Sequence, residues 1–162
     1  MEEEALRSKL ESLSSARAPR LVPKPDGGLA RVCHCYDGDT ITLLCYVSAV
    51  PARLSLRVRG VDAPERRGRG AAEARCADLV KDVVERLLLN RVVRVDVVGL
   101  DKYGRCLGDV LLPGLDQSLS AYLLEQGLAR PYDGEARAAF SEAELERISA
   151  VADGLCAALP CR

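Results

Sequence analysis

No apolar run in the chain approaches membrane-spanning length; "VVRVDVV" (92–98) is short and broken by charge. The N-terminal "MEEEALRSKLESLSS" is too charged for a secretion signal. No C-x-x-C pair occurs among the seven cysteines, and their number is odd. Scattered thiols of this kind favour a reducing compartment. The expectation is therefore an intracellular protein with no membrane partner. Net charge is −1 and the sequence pI about 5.9, so no bulk basic field marks a nucleic-acid binder. Any such binding has to be local. Tryptophan is absent and aromatics make up only 4%. Internal repeats and low-complexity segments are also missing.

What remains is 162 residues, 48% of them apolar, enough for one globular domain with a real core. A monomer is the expectation. Arginine outnumbers lysine 19 to 4. Its rigid fork suits phosphate, although nucleotide composition can produce the same skew. "CHC" (Cys33, His34, Cys35) has the look of a metal motif. On a strand, however, Cys33 and Cys35 share one face and His34 takes the other, which favours buried thiols and a surface histidine.

Residues 1–28 read as a short amphipathic helix and a Pro/Gly-rich linker. Ala5, Leu6, Leu10 and Leu13 fall at helical spacing, and the helix is expected to pack on the domain or fray. A folded domain is expected over residues 29–162. "ARVCHCY" and "TITLLCYV" read as strands flanking "DGDT" (Asp37 to Thr40). "RLSLRVRGV" alternates, with Leu54, Leu56 and Val58 on one face and Arg57 and Arg59 on the polar face. "GAAEARCADLVKDVVERLLLN" is the best helix, with Asn90 as its stop. Two strands follow, "RVVRVDVVGL" and "RCLGDVLL". A second helix comes next, with Asp116 as a candidate cap and Gly127 ending it. The segment from Asp133 gives a third helix, with Ser141 marking an internal break. Three strands, a helix, two strands and two helices fit a five-stranded Greek-key barrel, an α+β fold. Another α+β sandwich is also compatible.

Four pieces carry the polar residues of interest: "DGDT", "RVRGVDAPE" (Arg57 to Glu65), "DKYGR" (Asp101 to Arg105) and "GLARPY" (Gly127 to Tyr132). Pro64 fixes its own φ and pushes Ala63 into an extended conformation, so the Ala63 carbonyl is aimed in one direction. Oxygen from Asp39, Asp62 and that carbonyl suits a hard cation such as calcium, provided the Asp39 hairpin neighbours the strand. The plainer reading is a turn with surface acids. Gly104 permits a tight turn whose tip carries Lys102 and Arg105. With Arg57, Arg105 offers two guanidiniums that could embrace one phosphate. Attack of water on a phosphate diester needs a cation, a base and such donors.

The four pieces, in this order, resemble the staphylococcal nuclease (thermonuclease) family over about residues 29 to 157. "DGLC" (Asp153 to Cys156) resembles that family's closing Gly-Leu-Trp. The resemblance implies an oligonucleotide-binding (OB) barrel with about three helices and a calcium cofactor. It implies Asp39, Asp62 and the Ala63 carbonyl as metal ligands, and Arg57 and Arg105 on the scissile phosphate. Glu65 matches the carboxylate cast as general base. Lys102 and Tyr103 match contacts to a neighbouring phosphate, and Tyr132 matches a tyrosine lining the nucleotide pocket. Asp37 matches an acid behind the metal ligands. The segment between Asp39 and Arg57 is a few residues longer than in the family, and Pro51 suggests an extended hairpin loop there. Arg66, Arg67 and Arg69 offer a local phosphate-binding patch. The implied activity is calcium-dependent hydrolysis of single-stranded or frayed DNA and RNA, with low sequence preference and 3′-phosphate products. The alternative is a catalytically weak module that binds nucleic acid or protein.

Overall fold

A computed structural model describes residues 1–14, 20–68, 70–134 and 137–160. Five strands close into a barrel: β1 (Leu29–Cys35), β2 (Thr40–Val47), β3 (Val50–Val58), β5 (Val92–Leu100) and β6 (Cys106–Val110). The order around it is β1-β2-β3-β6-β5, antiparallel except at the parallel β3–β6 seam. Two short strands, β4 (Val61–Asp62) and β7 (Arg130–Pro131), form a separate ladder beside it. The helices are α1 (Glu2–Glu11), α2 (Ala71–Leu88), α3 (Leu119–Glu125) and α4 (Glu142–Ala158). The five-stranded α+β barrel expected from the element order is the fold observed.

Alternation explains the closure. Along β5, Val93, Val95 and Val97 turn inward while Val92, Arg94 and Asp96 face solvent. Val32, Ile41, Leu43, Leu56 and Val58 are wholly buried in the same core. Helix α2 presents Cys76, Ala77, Val80, Val83, Val84 and Leu87 to that core and packs on α4. Asn90, at φ 62, ends the helix turn, and its N–H donates to the Val32 carbonyl at 2.8 Å. No described helix is long and apolar enough to cross a membrane.

Four local expectations change. A bulge in β1 between Val32 and His34 shifts the inward set, so Cys35 is buried while Cys33 is only partly so. The extra residues around Pro51 do not form an extended loop. They lengthen the β2–β3 ladder to a tight turn at Ser48–Ala49. Both turn residues have positive φ (52 and 63), and the Asp26 carboxylate accepts both of their N–H groups at 2.9 and 2.8 Å. Ser118, not Asp116, caps α3. Ser141 caps α4 in a reciprocal box with Glu144 rather than breaking a longer helix, because residues 137–140 before it are not helical, while 135–136 lie outside the described residues. Helix α1 forms, but none of its residues is buried.

Candidate active site

The β1–β2 turn is pressed into the protein rather than held out in water. A Cβ on Gly38 would stand 2.6 Å from Val80 Cγ1 and 3.1 Å from Ala63 Cβ. Glycine therefore lets the turn close on α2 and on the end of β4. Asp37 and Asp39 are buried as a result, 5% and 1% exposed. Asp39 Oδ1 accepts the Thr40 hydroxyl at 3.0 Å, and Oδ2 accepts the Ala63 N–H at 3.0 Å. The Asp39 N–H donates to Asp37 Oδ1 at 3.3 Å. Burial, and next the Asp39 carboxylate, push the Asp37 carboxyl up to about 7.

Arg57 lies on the outer face of β3, as its alternation requires, but that face is covered. It is 5% exposed. After Val58 the chain turns back at Gly60 (φ +77), bringing the Val61 carbonyl over the guanidinium. Arg57 Nη1 donates to the Val58 carbonyl and Nη2 to that of Val61, at 2.6 and 2.9 Å. Its Nη2 also lies 3.1 Å from Asp39 Oδ2. Burial lowers the Arg57 pKa, and the Asp39 charge opposes that shift.

Asp62, 2% exposed, sits opposite Arg130 in the β4–β7 ladder. Arg130 Nε and Nη2 both donate to Asp62 Oδ2, at 3.0 and 2.8 Å. Asp62 Oδ1 is buried and makes no hydrogen bond among the described residues. Arg137 Nε lies 2.9 Å from it, at ion-pair distance but without hydrogen-bond geometry. The same guanidinium contacts Glu65 Oε1 and comes within 3.8 Å of Asp39 Oδ2. Glu73, buried on the first turn of α2, accepts the Glu65 N–H at 3.3 Å and so fixes that loop.

Opposite these acids stands the β5–β6 turn. Asp101 Oδ1 accepts the Tyr103 and Arg105 N–H groups at 2.8 and 2.9 Å, and Oδ2 accepts Arg105 Nε at 2.7 Å. Burial works against the Asp101 carboxylate, yet the Arg105 side chain and these N–H donors hold its pKa below the usual range. Gly104, at φ +86, makes the turn. Arg105 Nη1 reaches Thr40 Oγ1 at 3.4 Å, which links this turn to Asp39. Tyr103 is 73% exposed, with Lys102 Nζ 5.1 Å from its ring centre.

Two clefts meet at Glu65 and Arg137. The larger, about 530 Å³, runs between Arg57, Tyr103, Arg105 and Tyr132, with Arg59 and Lys102 on its wall. The smaller, about 250 Å³, lies against Asp62, Ala63 and Glu73. Asp39, Arg57, Asp62, Glu65 and Arg105, from three separate segments, thus converge on one region. Of the expected basic patch, Arg66 is engaged by Asp78 at 2.6 Å, Arg67 borders the smaller cleft, and Arg69 lies outside the described residues.

Sequence reasoning missed Arg130, Arg137 and Glu73. Arg130 is adjacent to the "GLA" motif, but its partner Asp62 is 68 residues away. Arg137 falls in a segment that reads as helix. Among the described residues, no three His, Cys, Asp or Glu side chains form a metal-ligand cluster unaided. A guanidinium stands among Asp39, Asp62 and Glu65 instead. The donor set still fits a hard divalent cation. It is all oxygen, it is largely desolvated, and it contains in Asp62 Oδ1 a buried acceptor that takes no hydrogen bond from the described residues.

Comparisons with known proteins bear on the family of the chain. The family model described as "Staphylococcal nuclease homologue" matches residues 55–154. "Protein ParB" of Escherichia coli is 34% identical over 118 residues, covering 68% of this chain and 61% of that protein. "Probable endonuclease LCL3" of Kluyveromyces lactis is 33% identical over 95 residues, and that of Eremothecium gossypii 35% over 89. Those matches cover 56% and 54% of this chain, but only 35% and 32% of the two endonucleases. The chain therefore spans about a third of their length.

Proposed function

The chain belongs to the staphylococcal nuclease homologue family, and from that premise we propose that it is a calcium-dependent phosphodiesterase. Its substrates are single-stranded or frayed DNA and RNA, cut with little sequence preference to leave 3′-phosphate ends. The observation that carries this reading is the pairing of Asp39 and Asp62, buried and from different segments, around one cationic group beside Arg57 and an open cleft.

Asp39, Asp62 and the Ala63 carbonyl are the groups that would hold the ion. Calcium bound there supplies Lewis-acid charge against a phosphoryl oxygen. The chain's own residues do the rest. Arg57 is fixed by two carbonyls and Asp39, so it offers charge with little reorganisation. Arg105, held by Asp101, faces the same cleft and is the second donor for charge building on the phosphoryl group. Glu65, on the border of both clefts, would orient a water and accept its proton. Exposed Tyr103 and the Tyr132 wall offer faces for a base, with Lys102 near the next phosphate.

The test is direct. Purified protein is incubated with single-stranded DNA and RNA, in calcium and in excess chelator, and the product ends are identified. Calcium-dependent cleavage to 3′-phosphate ends is expected. Full activity in chelator removes the metal assignment. Binding without cleavage in calcium, by contrast, favours a non-catalytic module.

A further inference from the structure

Resting on the reading that these carboxylates take a divalent ion, we propose that Arg137 is a built-in competitor of that ion. Its guanidinium neutralises Asp39, Asp62 and Glu65 in the metal-free protein, and metal binding is an exchange in which Arg137 leaves.

Three observations carry this. First, the guanidinium touches the acids through three different atoms. Nε lies 2.9 Å from Asp62 Oδ1, Nη2 lies 3.8 Å from Asp39 Oδ2, and Nη1 contacts Glu65 Oε1. Second, the contact with Asp62 is imperfect. Oδ1 is buried, yet it receives charge from Arg137 without a hydrogen bond. A guanidinium donates only along its N–H directions, whereas a metal ion has no such directional requirement. The other oxygens are better served. Asp62 Oδ2 has Arg130, and both oxygens of Asp39 have donors. Third, Arg137 has somewhere to go. It borders both clefts, and it already lies 5.6 Å from the Tyr132 ring centre, a cation–aromatic contact that does not depend on the acids. The carbonyls of Ala138 and Ala139 that follow it are held by Arg130, so the movement falls to the Arg137 side chain.

Charge arithmetic points the same way. With Arg137 in place, the three acids are matched by Arg57, Arg130 and Arg137. An added divalent ion would take that sum from zero to +2, and the departure of one guanidinium halves the surplus to +1. Arg57 is 6% exposed at its side chain and tied to two carbonyls, and Arg130 is stacked 3.9 Å from the Phe140 ring centre. Arg137, at 29% exposure and outside any strand or helix, is the one that can leave.

Calcium titration calorimetry on the full chain tests this, comparing wild type with Arg137→Gln and Arg137→Lys. Arg137→Gln is expected to bind calcium at least about tenfold more tightly, with Arg137→Lys between the two. Urea unfolding supplies a second readout. In chelator Arg137→Gln should be less stable than wild type, and in saturating calcium the difference should shrink or reverse. Equal or weaker calcium affinity in a folded Arg137→Gln overturns the exchange while leaving the metal site standing. Absence of calcium binding in both proteins, with native unfolding curves, overturns the metal reading itself and this proposal with it.

Discussion

Arg130 and Asp62 face each other across the β4–β7 ladder, and two guanidinium nitrogens converge on one oxygen of the carboxylate. The pair ties the segment after the barrel to the strand end that carries the site. Removing the arginine leaves a carboxylate that is 2% exposed without its main donor. Breaking a buried pair from one side typically costs about 3–5 kcal/mol, and the partial exposure of Arg130 reduces that. Arg130→Ala is expected to lower stability by about 2–4 kcal/mol in urea unfolding. Arg130→Lys should recover only part, since a single ammonium cannot reproduce the fork or the stacking on Phe140. A loss below about 0.5 kcal/mol in Arg130→Ala would mean that the pair does not hold the ladder.

Gly38 allows the Asp39 turn to bury itself. An added methyl would overlap Val80 Cγ1 at 2.6 Å and crowd Ala63. Gly38→Ala is expected to cost about 1–3 kcal/mol and to weaken calcium binding, because Asp39 shifts with the turn. Val80→Ala removes the atom that is struck. In a double-mutant cycle the two substitutions should show a favourable coupling of at least about 1 kcal/mol. Strict additivity would mean that the turn relaxes away from α2 instead.

Much of this arrangement could be read from residues. Alternation in "RVVRVDVVGL" and "RLSLRVRGV" marks strands with one buried face, and the barrel follows from their order. The four polar motifs bring the acids and arginines together by resemblance. Alternation assigns Arg57 to an outer face, but it does not say what covers that face. The cover comes from the return at Gly60 and from Asp39, a contact between distant segments. Arg130 and Arg137 were illegible for the same reason, since their partners are far away in the chain. The β1 bulge was illegible for a different reason: "CHC" alternates correctly by itself, and only the pairing with β2 displaces it. Ser141 carried a readable signal in S-E-A-E, the capping-box spacing, which marks a helix start more strongly than a break.

The Asp101 carboxylate gives an acid-dependent effect with a definite sign. Its pKa is depressed in the folded protein, so it binds fewer protons there than in the unfolded chain near pH 4. Its contribution to stability is present above the unfolded value of 3.8 and is lost as pH falls through the lower folded value. Asp101→Asn removes that contribution. Wild type should exceed Asp101→Asn in stability at pH 6, and the gap should narrow as pH falls below the unfolded value of 3.8. Urea unfolding at a series of pH values checks this, and a gap that widens on acidification contradicts the sign.

The two arginines of the site differ in burial, and their substitutions should differ accordingly. Arg57 neutralises an Asp39 that is 1% exposed and donates to two carbonyls, so Arg57→Gly strips donors from the interior. It is expected to lose both turnover and about 3 kcal/mol of stability. Arg105 is 32% exposed at its side chain, and its partner Asp101 keeps two backbone donors without it. Arg105→Gly should therefore unfold at nearly the wild-type urea concentration. Its turnover on single-stranded DNA should fall by at least roughly 100-fold, about 3 kcal/mol of transition-state stabilisation. Because Arg105 belongs to the group that meets charge as it develops, the loss should fall on kcat more than on KM. A folded Arg105→Gly with near-normal kcat would take Arg105 away from the phosphoryl group and leave its guanidinium as a brace for the β5–β6 turn.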